Sequence, residues 1–128
     1  MDDALANKLF FKPEYRAAIL DAPEDYLERL GIPVIGDLSV RSSLDFIQVF
    51  VTAKINLLPI MPDLIRALKP NGLLWISYPK GGSKVQTDLN RDILWAETAK
   101  FGLAGVAMIS IDETWSAMRF RPSGRVGK

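Results

Sequence analysis

The stretch Lys80-Gly81-Gly82-Ser83-Lys84 holds the residue types best suited to gripping an anion. Two glycines free the backbone to turn N–H groups toward a negative charge, and two lysines add positive charge. The Gly-x-x-x-x-Gly-Lys-Ser/Thr spacing of a P-loop is absent. The same composition also describes a surface loop whose lysines reach into water. Asp112-Glu113-Thr114-Trp115 sets two carboxylates beside an indole. Such a pair could share a proton or hold a hard cation. It could equally form a turn, with Glu113 solvated and Trp115 packed on a sheet. Asp21, Glu24 and Asp25 form a second acidic group. Glu24 and Asp25 suit the positive end of a helix dipole, which leaves Asp21 at the end of a strand where a crevice should open. The chain has no His and no Cys. Any general base must therefore be a carboxylate, Lys or Tyr, and no metal site is expected. An enzyme built from these groups would pair Lys80 with Asp112 or Glu113.

The rest of the composition bounds the partners. A chain of 128 residues with 48% hydrophobic residues predicts one domain with a core that needs no staples. The absence of Cys excludes a disulfide scaffold, thiolate zinc and a Cys nucleophile. Net charge is +1, divided as −4 over residues 1–64 and +5 over residues 65–128. That division fits ordinary solvated faces, or an anion-facing edge in the second half. Arg119, Arg121, Arg125 and Lys128 make the C-terminal end basic, but no nucleic-acid motif accompanies them and nucleic acid is not the expected partner. No apolar run approaches the ~18 residues of a membrane span, and the acidic Met1-Asp2-Asp3 start lacks a signal peptide's apolar region. The expectation is a cytoplasmic protein with no membrane contact.

The elements that must position these groups follow from periodicity and punctuation. Asp3 to Phe10 has Leu5, Leu9 and Phe10 at helical spacing, closed by Lys12-Pro13. Arg16 to Asp21 reads as a first strand, residues 23–30 as a brief helix opened by Pro23, and Pro33 to Leu38 as a second strand. Leu44 to Val51 is nearly continuous in apolar residues, the mark of a strand covered on both faces. Ile55 to Leu68 has a helical apolar stripe in which Pro62 should bend or split the helix. Lys69-Pro70-Asn71-Gly72 signals a stop and turn before a strand at Leu73 to Tyr78. Thr87 or Asp88 should cap a helix running to about Phe101, with Gly102 just past its end. Ala104 to Ile111 and Trp115 to Arg121 are joined too tightly for a parallel crossover and should form an antiparallel hairpin. Alternating strands and helices predict an α/β, Rossmann-like domain over residues 1–121. Its sheet should be mostly parallel, with helices on both faces and a C-terminal antiparallel hairpin; residues 122–128 should be a flexible basic tail.

Leu44 to Phe50, the helix after it and Leu68-Lys69-Pro70-Asn71-Gly72-Leu73-Leu74-Trp75-Ile76-Ser77 resemble the second half of class I S-adenosylmethionine-dependent methyltransferases. More closely, Ala18-Ile19-Leu20-Asp21-Ala22-Pro23-Glu24, Tyr78-Pro79-Lys80, Thr87-Asp88-Leu89 and Asp112-Glu113-Thr114-Trp115-Ser116 resemble a bacterial family of uncharacterised function with a shortened form of that fold. The resemblance implies S-adenosylmethionine as cofactor, contacted by Asp21 after strand one and by Asp37 near the ribose. The sequence departs from the pattern at the first turn. Methyltransferases place Gly-x-Gly there so that backbone can approach the cofactor, whereas this chain has Asp21-Ala22-Pro23-Glu24-Asp25. The order of elements is also a strand and its helix short of that pattern. The sequence therefore favours a non-catalytic domain, with no cofactor, that binds a small anionic ligand or a protein partner. The alternative is a minimal S-adenosylmethionine-dependent methyltransferase. An exposed sheet edge leaves pairing with a second copy open.

Overall fold

A computed structural model describes residues 3–24, 26–30, 38 and 42–123. Its elements are α1 (Asp3–Leu9), β1 (Ala17–Leu20), α2 (Tyr26–Leu30), β2 (Leu44–Phe50), α3 (Lys54–Leu57), α4 (Met61–Ala67), β3 (Leu68–Pro79), α5 (Arg91–Ala99), β4 (Leu103–Ser110) and β5 (Trp115–Pro122). The strands form one five-stranded sheet in the order β1-β2-β3-β5-β4. β1, β2 and β3 run parallel, whereas β5 is antiparallel to both β3 and β4. The α/β class, the mainly parallel sheet and the terminal hairpin are thus as the sequence predicts. The strand expected at Pro33 to Leu38 falls, apart from Leu38, outside the described residues, as do Asp37 and residues 124–128.

Strand alternation sorts the core onto two faces. Phe46, Gln48 and Phe50 of β2 point toward α1 and α2, where Leu5, Leu9, Ile19, Tyr26, Leu30 and Trp75 join them. Ile47 and Val49 point the other way, onto Leu57, Met61, Leu64, Ile76 and Leu94 from α3, α4, β3 and α5. Two buried polar arrangements tie the first face together. Trp75 Nε1 donates to Leu9 O at 3.0 Å, fixing α1 to the middle of the sheet. Tyr26 Oη donates to Gln48 Oε1 at 2.7 Å, and Gln48 Nε2 donates to Ser77 Oγ at 2.9 Å. This chain satisfies the one long polar side chain of a strand otherwise read as apolar.

Three boundaries differ from the sequence reading. The helix expected over 55–68 breaks at a 3-10 turn, Leu58–Ile60, between α3 and α4. The break lies ahead of Pro62, so Pro59 and Pro62 each sit in the first turn of a new segment, where a missing N–H costs nothing. The stop signal Lys69-Pro70-Asn71-Gly72 does not end an element; it lies inside β3. Leu44 pairs with Leu68 and Phe46 with Leu73, so the signal survives as a bulge. Gly72 is required by this crowding, because a Cβ there would lie 2.6 Å from Leu68 Cδ1 and 3.0 Å from Leu44 O. Finally, α5 is capped by Asn90, whose Oδ1 accepts from Ile93 N at 2.8 Å, and not by Thr87 or Asp88. Gly102 ends the segment at φ +79° as expected.

Candidate functional site

The parallel strands β2 and β3 both end at the same edge, and the segments leaving them enclose an open cleft of about 830 Å³. Its walls are Thr52 and Ala53 after β2, and Lys80, Gly81 and Ser83 to Asn90 after β3. Ligands of open α/β sheets bind outside the carboxyl ends of the strands, and this cleft lies at that edge, between segments that lead to α3 and α5 on the same face. Two hydrogen bonds pin the long loop to the β2 side. Thr87 Oγ1 donates to Thr52 O at 2.6 Å, and Lys54 N donates to Asp88 Oδ1 at 2.9 Å. Thr87 and Asp88 therefore set the width of the cleft, and Asp88 caps α3, the helix across from its own.

The glycine-rich stretch begins with Lys80 N donating to Thr114 O at 2.8 Å and Ser83 N closing a tight turn on Lys80 O at 3.0 Å. Beyond these, Gly81, Gly82, Lys84, Val85 and Gln86 have no hydrogen-bond partner among the described residues. Ser83 Oγ is shielded from water and also lacks a partner. The loop thus offers backbone donors, one hydroxyl and the exposed Lys84 ammonium along a single cleft. Lys80 does not join them, since its Nζ contacts Ser110 Oγ on β4. The two lysines that the sequence placed together diverge.

The other candidates resolve differently. Asp112 Oδ1 accepts from Thr114 N at 2.8 Å and Trp115 N at 2.9 Å, and its second oxygen meets Arg29 Nη1 at 3.5 Å. Its carboxylate is occupied in making the hairpin turn, while Glu113 stays exposed. No group of three or more metal-ligating side chains occurs among the described residues. Asp21 is exposed after β1 with φ +55°, a left-handed backbone that non-glycine residues rarely adopt. Ala22 packs against the α1/α2 core and Tyr26 is buried in it, so this turn is filled from below. Thr52, Ala53, Gln86 and Asn90 were not among the residues singled out from the sequence. The signal that could have found Thr52 and Ala53 is their place just past a buried parallel strand.

No family model matches the sequence, and no curated protein does. Solved structures do match in shape. A Sulfolobus solfataricus chain classed with the type 11 methyltransferases superposes with a TM-score of 0.62 at 11% identity, over 98% of this chain and 94% of its own. A TehB-like S-adenosylmethionine-dependent methyltransferase from Corynebacterium glutamicum gives 0.55 at 15% identity, over 94% and 86%. One from Aquifex aeolicus gives 0.54 at 14% identity, over 81% of this chain but 66% of its own. The chain has a methyltransferase-like fold in shortened form. At these identities the likeness concerns the fold alone.

Proposed function

We propose that the protein binds a small anionic ligand in the cleft between Thr52-Ala53 and the 80–90 loop. The observation that carries this reading is that the cleft-lining Gly81, Lys84, Val85, Gln86 and the Ser83 Oγ have no hydrogen-bond partner among the described residues. An anion accepts from such donors and is attracted by the ammonium. Pyrophosphate is a suitable probe by isothermal titration calorimetry. The expected result is binding that weakens about tenfold in Lys84→Ala, the loss of one charge-assisted contact. No heat at millimolar pyrophosphate overturns the reading.

The structural relatives favour a second reading, an S-adenosylmethionine-dependent methyltransferase. Asp21 supplies the observation on this chain: its φ of +55° lies in the left-handed region that glycine usually fills. The fit is partial, because Ala22 and Pro23 keep side chains where the cofactor turn has none. Asp21 would contact the cofactor, and Asp37 is the second expected contact. Titration with S-adenosylhomocysteine tests it. Micromolar binding that disappears in Asp21→Ala supports methyl transfer, and no heat at millimolar ligand leaves the anion-binding reading alone.

A further inference from the structure

On the α1 face of the sheet, away from the cleft, lies a pair of arginines with no counter-charge among the described residues. Arg119 and Arg121 alternate onto this same face of β5. Neither guanidinium makes a hydrogen bond or an ion pair among the described residues. Arg119 is partly buried, and its Nε is shielded from water without an acceptor. Burial, first, and the charge of Arg121 both push the Arg119 pKa down. Its guanidinium lies 5.2 Å from the ring centroid of Phe10.

Phe10 is itself unusual. Its side chain is 54% exposed, and its backbone stands at φ +57° where α1 ends. A left-handed phenylalanine that leaves its ring in water is costly on both counts. The ring also borders a groove of about 370 Å³ lined by Ala6, Asn7, Phe11, Lys12 and Tyr15. Lys12 Nζ sits 5.9 Å from the Tyr15 ring centroid, a second cation beside an aromatic face. Trp75, opposite Arg119 in the sheet, is five strand residues or about 16 Å from Lys80, so this site is separate from the cleft.

We propose that Arg119, Arg121 and the exposed ring of Phe10 form a second binding site for a nucleotide, whose phosphate meets the arginines and whose base stacks on Phe10. Phosphate supplies the acceptors that the two guanidinium groups lack. A planar base covers the part of the Phe10 ring that Arg119 leaves exposed. The nucleotide could be free or part of a single strand, because both present the same phosphate and base.

Calorimetric titration with AMP, together with fluorescence anisotropy on a labelled ten-nucleotide oligouridylate, tests the site on the full chain. Binding of AMP should weaken about tenfold in Arg121→Gln and about fivefold in Phe10→Leu, with thermal melts reporting that each variant folds. In a Ser83→Ala/Lys84→Ala background, which removes the cleft's donors, Arg121→Gln should still weaken AMP binding about tenfold, so this result stands or falls apart from the cleft reading. Tight oligouridylate binding with weaker AMP binding would identify the single strand as the source, and the reverse a free nucleotide. The proposal is overturned if neither probe binds at millimolar AMP or ~0.1 mM oligonucleotide. It is also overturned if inorganic phosphate binds as well as AMP, or if folded Arg121→Gln binds like the parent.

Discussion

Asp45 holds the starts of three strands together. From β2 its Oδ2 accepts from Arg16 N beside β1 at 2.9 Å, and its Oδ1 meets Lys69 Nζ of β3 at 2.9 Å. The Arg16 N–H and the Lys69 ammonium hold its carboxyl below the ordinary value of 3.8. The unfolded chain therefore takes up a proton before the folded one does. The stabilisation is complete above about pH 4 and disappears as pH falls through the lower folded value. Asp45→Asn should lower stability by about 1 kcal/mol at neutral pH, since the pair is partly solvated, and should flatten the fall of Tm below about pH 4. Thermal melts across that range check both. Asp45 carried no signal in the sequence, because its partners lie 29 and 24 residues away along the chain. Gln48 was hidden for the same reason: a single polar residue among Phe46, Ile47, Val49 and Phe50 shows neither its face nor the Tyr26 and Ser77 that satisfy it.

Elements were legible where local chemistry decides them. The apolar run of β2, the amphipathic stripe of α3 and α4 and the left-handed Gly102 are local signals, and each appears close to its expected place. Boundaries set by competition between neighbours were not. Thr87, Asp88 and Asn90 are all competent caps, and the choice depends on Thr52 and Lys54, which draw the first two away. Asn90→Ala should cost about 1 kcal/mol by chemical denaturation, with the slope of the transition unchanged. Thr87→Val should instead widen the cleft, because the lost bond is the one to Thr52 O. The Pro70-Asn71-Gly72 signal was read as a turn because a bulge and a turn demand the same residues. Gly72→Ala should lower stability by about 1–3 kcal/mol, as backbone at Leu44 O cannot yield as the Leu68 side chain can. Adding Leu68→Ala to Gly72→Ala should recover little, and a double-mutant cycle measures the remainder.

At the scale of the whole molecule, alternation of strands and helices was enough to predict the class, because a parallel sheet with covered faces is the usual way to bury such a pattern. The site was less legible. The donors proposed for it are mainly backbone N–H groups, which any sequence possesses, and the Lys80 to Lys84 stretch marked only one wall of the cleft. Topology also makes the hairpin a unit. β4 reaches the sheet only through β5, which itself is held to β3. Native-state hydrogen exchange should therefore show β4 and β5 amides opening together, at a lower free energy than those of β2, whose strand is buried on both sides.

The irregular pairing in β4 bears on how the protein behaves when crowded. Gly105 faces Phe120 and Ala107 faces Arg119, so Val106 is an extra residue in the outermost strand of the hairpin. A flat outer strand is a template on which foreign strands can stack without limit. One extra residue twists the row of free amides out of register and ends such growth after a few bonds. The bulge at Val106 is expected to hinder such stacking, and its deletion would straighten the one long border this sheet shows among the described residues.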